Sequence, residues 1–351
     1  MPTVKRTIMM VHPGSLGDVL LAVPAMVRLR THFPDHQLVL CADGQAAQLL
    51  LACDIVDTWI SVQGRDCAGV FVDADSVTGQ VRTWLMNCDL AVGWMKDLDG
   101  TLSATLKAIG VREVIVRSPF SSEILAIHQH DRFLEAMHEP PVLDEADLLL
   151  LKVTEPLLQR GRTCLDELGL SIGQSLVVIQ PGSGSVHKCV EPKILLSVMA
   201  AVQASGATPV ILEGPADRQS VERLLQSCVH PPIVLKDLDL FTVAGVLAQV
   251  QLFIGQDSGI THMAGLMGVP TIALFGPTDP ARWAPRGTHV TIVRGAPCFC
   301  RSWNEVSCCK EKPCLDISTD SLVALCRARL DDVAILQRIP SNCLVTDFPV
   351  C

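Results

Sequence analysis

The sequence contains no tyrosine, and aromatic residues make up only 4% of its 351 residues. A protein that binds nucleic acid by base stacking needs a larger aromatic surface, so that class is disfavoured. Only 19% of the residues are charged and 49% are hydrophobic, which excludes disorder as the dominant state. The formal net charge of −9 offers no general attraction to nucleic acid or to an anionic bilayer. Any anionic ligand must therefore be held by a local site.

Long apolar runs are also missing. Residues 19–27, one of the longest, are interrupted by Pro24 and fall far short of the roughly 20 residues of a transmembrane helix. Near the N-terminus, residues 8–11 are too short for the apolar region of a signal peptide. We therefore expect a cytoplasmic protein. In that compartment the 15 cysteines, an odd number, are expected to be mostly reduced thiols packed as small apolar groups.

Short apolar runs alternate with helical patterns along most of the chain. Its length corresponds to about 2.3 average domains, which favours two. The alternation predicts an α/β protein with parallel sheets and helices on both sheet faces. We interpret residues 128–173, which contain Pro140-Pro141 and an acidic stretch, as the end of one domain and a connector. Strands are predicted at residues 7–11, 37–41, 55–60, 89–93, 113–116, 176–179, 208–212, 251–254 and 271–275, and helices at 19–30, 44–51, 155–168, 193–204, 220–227, 241–248 and 263–267.

Asp18 lies between the first predicted strand and the predicted helix at residues 19–30. Open α/β sheets bind ligands at the carboxyl ends of their strands. A carboxylate at that place can accept a proton from a substrate hydroxyl. Aspartate is also a preferred N-cap, and taken alone the motif favours Asp18 as the cap of a helix beginning at Val19.

A run of small residues, Gly182-Ser183-Gly184-Ser185, follows the first predicted strand of the second half. Its backbone N–H groups and hydroxyls can hold an anion, and Lys188 can add positive charge. The run is neither a Walker A loop nor a GxGxxG motif. A flexible turn is therefore an equally good interpretation.

The segment 257–262 follows the predicted strand at 251–254 and begins a helix. It contains Asp257, Ser258, Gly259 and His262. A hydroxyl, backbone N–H groups and a helix N-terminus at one turn are suited to a diphosphate, and His262 can donate or accept a hydrogen bond there. The alternative is an ordinary helix capped by Asp257 or Ser258, with His262 satisfied by the protein.

Five cysteines lie close together after the last predicted strand. Their spacing is C-x-C, seven residues, CC, four residues and C, which does not match the CxxC pairs of a zinc ribbon. Thiolates suit zinc or iron, so a metal site is one interpretation of these cysteines. The spacing favours the alternative, a loop that is oxidisable or prone to form disulfides. The sequence predicts no metal in the functional site. The five are Cys298, Cys300, Cys308, Cys309 and Cys314.

Three stretches together resemble the ADP-heptose:lipopolysaccharide heptosyltransferase family, glycosyltransferase family 9. The first is the Gly-Ser-Leu-Gly-Asp-Val-Leu-Leu run at residues 14–21, and the second is the Pro-Gly-Ser-Gly-Ser run at 181–185 with Lys188. The third covers residues 257–280 and is specific to that family. The resemblance spans about residues 5–330.

The resemblance implies a GT-B fold, in which two Rossmann-like domains with parallel sheets face a central cleft. We expect an acceptor-binding domain at residues 1–160, a donor-binding domain at 174–330 and a C-terminal tail at 331–351. The family implies inverting, metal-independent transfer of a heptose or similar sugar from an ADP-activated donor to a lipopolysaccharide-core or related glycan, without a cofactor. A lipid-linked acceptor would bring this cytoplasmic protein to the inner face of the bacterial inner membrane, and nucleic acid is not an expected partner.

The resemblance also assigns roles to residues by position. Asp18 matches the general base of the family. Asp217 lies close to the position of the acid that binds the ribose in the family, and Glu213 is the alternative residue for that role. Three alternatives stay open: a non-catalytic nucleotide-sugar-binding module, a GT-B transferase with another donor and acceptor, and an epimerase acting on UDP-sugars. A decayed binding module would have no reason to keep Asp18. The expected donor-binding residues are Ser183, Gly184, Ser185, Lys188, Asp217, Asp257, Ser258, Gly259 and His262.

Overall fold

The first half of the chain builds a parallel sheet around its first strand. In the computed structural model, residues 5–118, 120, 127–139, 151–170 and 173–338 are described, with the backbone alone at 332–338. The strands are β1 (Thr7–His12), β2 (Gln37–Ala42), β3 (Thr58–Ser61), β4 (Cys88–Gly93) and β5 (Glu113–Val116). Within the described residues they form a five-stranded parallel sheet in the order β3-β2-β1-β4-β5.

The second half repeats this architecture with one more strand. Its strands are β6 (Leu176–Gln180), β7 (Thr208–Glu213), β8 (Ile233–Lys236), β9 (Leu252–Gln256), β10 (Thr271–Phe275) and β11 (Val290–Arg294). They are parallel and lie in the order β11-β10-β9-β6-β7-β8. The strand order reverses between β1 and β4 in one sheet and between β6 and β9 in the other. Doubly wound sheets bind ligands in the crevice at such a reversal.

Helices cover both faces of the two sheets, as predicted. None of the helices in the described part of the chain combines the length and apolarity needed to cross a bilayer. Short 3-10 turns lie at Gly69–Phe71, Val186–Lys188 and Pro313–Leu315. The helices are α1 (Leu16–Leu21), α2 (Val23–His32), α3 (Gly44–Ala52), α4 (Arg65–Ala68), α5 (Gly79–Met86), α6 (Thr101–Ile109), α7 (Gln129–Glu135), α8 (Glu155–Glu167), α9 (Pro192–Ala204), α10 (Arg218–Leu225), α11 (Leu240–Leu247), α12 (Gly259–Leu266), α13 (Pro280–Trp283), α14 (Trp303–Cys308) and α15 (Thr319–Arg338).

The central strands β1, β6 and β10 are buried along their whole length. This explains why they read in the sequence as continuous apolar runs: a parallel strand between two helical layers has no solvent face. Burying one such aliphatic side chain contributes about 1.5–3 kcal/mol. The edge strands β8 and β11 are mostly half-buried and carry polar residues, and the sequence patterns did not predict them.

The first predicted helix differs from the structure. Residues 19–30 were expected to form one helix, but α1 ends at Leu21 and α2 begins at Val23, with Pro24 in its first turn. Proline is tolerated there because first-turn N–H groups have no intrahelical acceptor. The predicted N-cap is also wrong. Ser15 is the N-cap of α1. Asp18 is the third helical residue, and its side chain accepts a hydrogen bond from the Ser15 backbone N–H, as in a capping box.

Two predictions concern the ends of the domains. The region predicted as a tail from residue 331 is helical up to Arg338, as the last part of α15, and α15 packs along α9. The Pro140-Pro141 pair and the acidic stretch at 144–147 lie outside the described residues. The domain limits 1–160, 174–330 and 331–351 stay a prediction.

Helix α8 crosses the predicted limit of the first domain and packs tightly on α11. Gly161 on α8 and Gly245 on α11 meet backbone to backbone, and a Cβ on Gly161 would overlap the backbone carbonyl of Gly245. In addition, Gln249 Nε2 donates to the Leu158 carbonyl at 3.2 Å. The connector helix is therefore anchored to the second half of the chain.

We expect Gly161→Ala to lower the free energy of unfolding by about 1–3 kcal/mol, because the new methyl group meets backbone, which cannot rotate away. The gain in helix propensity, at most about 1 kcal/mol, does not offset this overlap. Urea unfolding followed by circular dichroism measures the change. Gln159→Ala, on the exposed face of the same helix, is the matched control and should shift stability by no more than about 0.5 kcal/mol. Equal stability of both variants would contradict the packing.

Candidate active site

A cavity of about 390 Å³ lies where the carboxyl edges of the two sheets face each other. The first half contributes Ser15, the N-cap of α1, and the first turn of α1 with Gly17 and Asp18. The second half contributes the loops that follow β6, β9 and β10. A second cavity of about 320 Å³ adjoins it and has an apolar wall that includes Leu212, Leu240 and Val243. The residues that line both cavities are Ser15, Gly17, Ser183, Gly184, Ser258 and Gly259.

The N-termini of α1 and α12 touch across the cleft. A Cβ on Gly259 would lie 3.0 Å from the backbone nitrogen of Gly17, and a Cβ on Gly17 would lie 3.5 Å from the Gly259 Cα. Two side chains would hold the helices farther apart. The two glycines therefore let one cavity draw residues from both halves.

Asp18 lines the larger cavity and is half-buried. Its Oδ2 accepts hydrogen bonds from the Ser15 backbone N–H at 3.1 Å and from the Ser15 hydroxyl at 2.9 Å. Both bonds use the same oxygen, and no bond to Oδ1 is found in the described part of the chain. Asp18 can therefore belong to the capping box of α1 and still act as a base. Its Oδ2 binds Ser15 at the start of the helix, and its Oδ1 is available to a substrate.

Two buried histidines lie near Asp18. Burial lowers the pKa of His262 to about 4, although the carboxylates of Asp257 and Asp18 act in the opposite direction. Burial likewise lowers the pKa of His12 to about 4. Both side chains are therefore neutral at pH 7. The sequence did not mark His12 as a site residue; it ends β1 and packs against Trp94 and Phe133.

Lys188 and Asp257 form an ion pair at the wall of the cavity. The Lys188 ammonium lies 2.8 Å from Asp257 Oδ2, with 22% of the lysine side chain and 8% of the aspartate side chain exposed. The Ser183 hydroxyl donates to the Asp257 carbonyl at 2.5 Å. The loop at residues 182–185 and the segment that begins α12 therefore form one continuous surface. On this surface the Asp257 carboxylate holds the Lys188 ammonium group.

Ser258 is the N-cap of α12. Its hydroxyl donates to Gln180 Oε1 at 2.7 Å and accepts from the Thr261 N–H at 3.3 Å. First-turn N–H groups such as that of Gly259 have no intrahelical acceptor and carry the positive end of the helix dipole. His262 Nδ1 is buried without a hydrogen-bond partner among the described residues. The capping interpretation is therefore correct for Ser258, but His262 is not satisfied by the protein.

Asp217 and Ser185 lie behind these loops. Asp217 is 2% exposed, and its Oδ2 accepts from Gln180 Nε2 at 3.0 Å and from the Gly214 N–H at 2.9 Å. Ser185 caps the short turn that carries Lys188. Glu213 reaches the same second cavity as Asp217 and pairs with Lys236 at 3.4 Å. Either acid stays a predicted ribose ligand, and Asp217 also ties β6 to the loop after β7.

Three further residues line the larger cavity that sequence reasoning did not select. The Thr278 hydroxyl is buried and has no partner among the described residues. Trp283 stacks on Phe120 of the first half, with ring centres 5.9 Å apart. Trp303 places its ring 5.5 Å from the Lys188 ammonium. Thr278 lies within the family-specific stretch 257–280, whereas Trp283 and Trp303 lie outside it.

The chain is similar to known heptosyltransferases in sequence and in fold. A family model for "Glycosyltransferase family 9 (heptosyltransferase)" matches residues 150–312. Lipopolysaccharide heptosyltransferase 3 of Escherichia coli strain K12 is 27% identical over 285 residues, which cover 77% of this chain and 82% of that protein. Another Escherichia coli protein of the same name is 37% identical over 131 residues, 36% of this chain and only 38% of that protein.

The fold agrees with these matches. The solved structure of E. coli ADP-heptose lps heptosyltransferase II superposes with a TM-score of 0.69 at 16% identity, covering 94% of this chain and 99% of that one. The two parallel-sheet domains around a cleft therefore form the expected GT-B fold. Residues 150–312 thus match the model of glycosyltransferase family 9, and the chain is similar to heptosyltransferases in sequence over most of its length and in fold.

Proposed function

We propose that the cleft transfers a heptose from ADP-heptose to a glycan acceptor, with Asp18 as the general base. One observation carries this proposal: a carboxylate from the first half and a lysine with a helix N-terminus from the second half line the same cavity. Glycosyl transfer needs a proton acceptor on one side of the anomeric carbon and stabilisation of an anionic leaving group on the other. The arrangement supplies both.

The two adjoining cavities fit the two ends of a nucleotide sugar. The apolar wall of the second cavity suits a nucleoside, with Asp217 or Glu213 available to ribose hydroxyls. The diphosphate would cross the shared boundary at Gly184, Ser258 and Gly259, where backbone N–H groups can bind it. Support for ADP-heptose as the donor comes from the names of the solved relative and of the curated heptosyltransferases.

In the proposed reaction an acceptor hydroxyl oxygen attacks the anomeric carbon as the carbon–oxygen bond to the diphosphate breaks. The hydroxyl proton passes to Asp18, and the bonding electrons leave with ADP. Lys188 and the first-turn N–H groups of α12 stabilise the charge that develops on the phosphate. They can do so without a metal ion. Attack opposite the leaving group inverts the anomeric centre, and the neutral His262 can donate a hydrogen bond within the cavity.

The acceptor we propose is a lipopolysaccharide-core or related lipid-linked glycan, as the names of the relatives suggest. Such an acceptor would bring the protein to the inner face of the bacterial inner membrane. A non-catalytic binding module loses its support, because Asp18 is present and lines the cavity. A transferase with another nucleotide sugar and an epimerase acting on UDP-sugars stay as the other candidates.

Asp18→Asn should lower kcat about 10²- to 10⁴-fold, because the amide cannot accept the acceptor proton. ADP affinity should stay nearly unchanged, since Lys188 and α12 are intact and the amide oxygen can still accept from Ser15. Kinetics with an ADP-heptose donor and calorimetry with ADP measure the two effects. Asp43→Asn, which alters the N-cap of α3, is a matched control and should keep its activity. Loss of ADP binding in Asp18→Asn would refute the base assignment.

Lys188→Ala should weaken ADP binding about 10- to 100-fold, because a charge-assisted contact to phosphate is lost and Asp257 is left unpaired beside it. Isothermal titration calorimetry with ADP measures the affinity. Lys193→Ala removes an exposed lysine five residues further along the chain and should leave it unchanged. Unaltered ADP affinity in Lys188→Ala would contradict the placement of the diphosphate.

A thermal-shift screen with ADP, GDP and UDP and their sugars should show the largest rise in Tm with ADP-linked sugars, because a ligand that binds only the native state stabilises it. Asp18→Asn should give the same ranking. Selective stabilisation by UDP-sugars would favour the epimerase or another transferase instead.

A further inference from the structure

We propose that Cys298, Cys300, Cys309 and Cys314 bind one soft divalent metal ion, of which zinc is the first candidate. In this view the ion is structural, and it holds the segment that carries Trp303 against the mouth of the cavity. This proposal concerns residues outside the transfer chemistry and does not depend on the identity of donor or acceptor.

Three of the sulfur atoms converge, and Cys314 belongs to the core cluster against which Cys298 packs, although the spacing in the sequence matches no zinc ribbon. The Sγ atoms of Cys298, Cys300 and Cys309 all lie within 4.8 Å of one another. The sulfurs of Cys298 and Cys300 lie 2.9 Å apart. Four thiolates around zinc at Zn–S distances of about 2.3 Å would have sulfurs about 3.8 Å apart. Small side-chain rotations therefore suffice to enclose an ion.

The backbone brings the two ends of this segment together. After β11, the Gly295 N–H donates to the Cys314 carbonyl at 2.9 Å, which closes the loop that contains the other cysteines. Cys314 is 2% exposed and packs in the core, whereas Cys298, Cys300 and Cys309 are half-buried. Cys308 is exposed and lies outside the group. One buried ligand and three partly exposed ones give a site that is anchored yet open to an entering ion.

Packing as small apolar groups does not explain these thiols. Cys53 and Cys326, for example, are buried in the core clusters, where burial against apolar neighbours accounts for them. Cys314 packs in the same way, but the thiols of Cys298, Cys300 and Cys309 instead meet one another in half-buried positions. Soft thiolates in such a group are the preferred ligands of zinc and of iron.

The segment has few other means of holding its shape. Helix α14 is six residues long, and Val306 is its one buried residue. Helices this short are unstable without tertiary contacts. Nevertheless, this helix begins with Trp303, whose ring lies 5.5 Å from the Lys188 ammonium and lines the larger cavity. A metal bound on both sides of α14 would supply the missing constraint and so position Trp303.

Binding is a ligand exchange without oxidation or reduction. Four thiols lose their protons to solvent, and four metal–sulfur bonds form as a hydrated divalent ion loses its water ligands. The ion contributes free energy to folding of the segment, since the unfolded chain has no preformed site.

The test is the metal content of the full chain, purified without a tag under reducing conditions and analysed by inductively coupled plasma mass spectrometry. We expect about one equivalent of zinc or iron per chain. Cys309→Ser should fall below about a tenth of an equivalent after dialysis against a chelator. The adjacent Cys308→Ser is the matched control and should retain the metal. Metal content that Cys309→Ser leaves unaltered would refute the assignment.

Reconstitution covers the case in which the ion is lost during purification. The reduced, metal-free chain should take up one equivalent of Co²⁺ and show the intense visible bands of a tetrahedral thiolate complex, and Cys309→Ser should not. Failure of the reduced wild-type chain to take up Zn²⁺ or Co²⁺ would refute the proposal, and so would mass-spectrometric detection of disulfides among the four cysteines in the freshly isolated protein.

Hydrogen exchange tests the structural role. Metal removal should accelerate amide exchange in residues 298–314 and leave residues 257–262 unchanged. Uniform exchange with and without metal would show that the ion does not hold the segment. These readouts require no donor and no acceptor, so their failure is distinguishable from failure of the proposed sugar transfer.

Discussion

The approach of Gly17 to Gly259 is the constraint on which the rest of the site depends. Each residue lies at the start of a helix that follows a central strand, and each lacks the side chain that would keep the helices apart. Their contact brings Asp18, the carboxylate of the capping box of α1, into the cavity. Lys188 and the N-terminus of α12 line the same cavity. Neither half of the chain has both parts of the proposed chemistry.

Charge within the cleft is balanced locally. The chain is acidic as a whole, yet the wall formed by the second half offers an ammonium group and the positive end of α12. Asp257 holds Lys188 in place and so limits its freedom before a ligand arrives. Burial keeps His262 and His12 neutral, which avoids adding charge near Asp18. An anionic donor is thereby compatible with an acidic protein.

Much of the fold was predictable because buried parallel strands leave a strong signal. β5 and β10 have the predicted bounds, and β1 and β6 differ by one residue. The half-buried edge strands β8 and β11 left too weak a pattern, and the break between α1 and α2 at Ala22 was missed. For the site, the motif positions of Asp18, Lys188 and Asp257 were found, because each follows a recognisable strand. Trp283 and Trp303 were not, because they lie outside the three motif stretches, and Thr278 was part of the third stretch but was not given a role.

The sequence by itself determined two α/β halves, the turns that follow their central strands and the resemblance to one family. These properties are local, since apolar periodicity and turn residues act over a few positions. Tertiary structure alone decided that Lys188 pairs with Asp257, that Trp303 lies over that lysine, and that three cysteines of irregular spacing meet. Each of these contacts joins loops from different elements, and their distance is set by how sheets and helices pack rather than by separation along the chain.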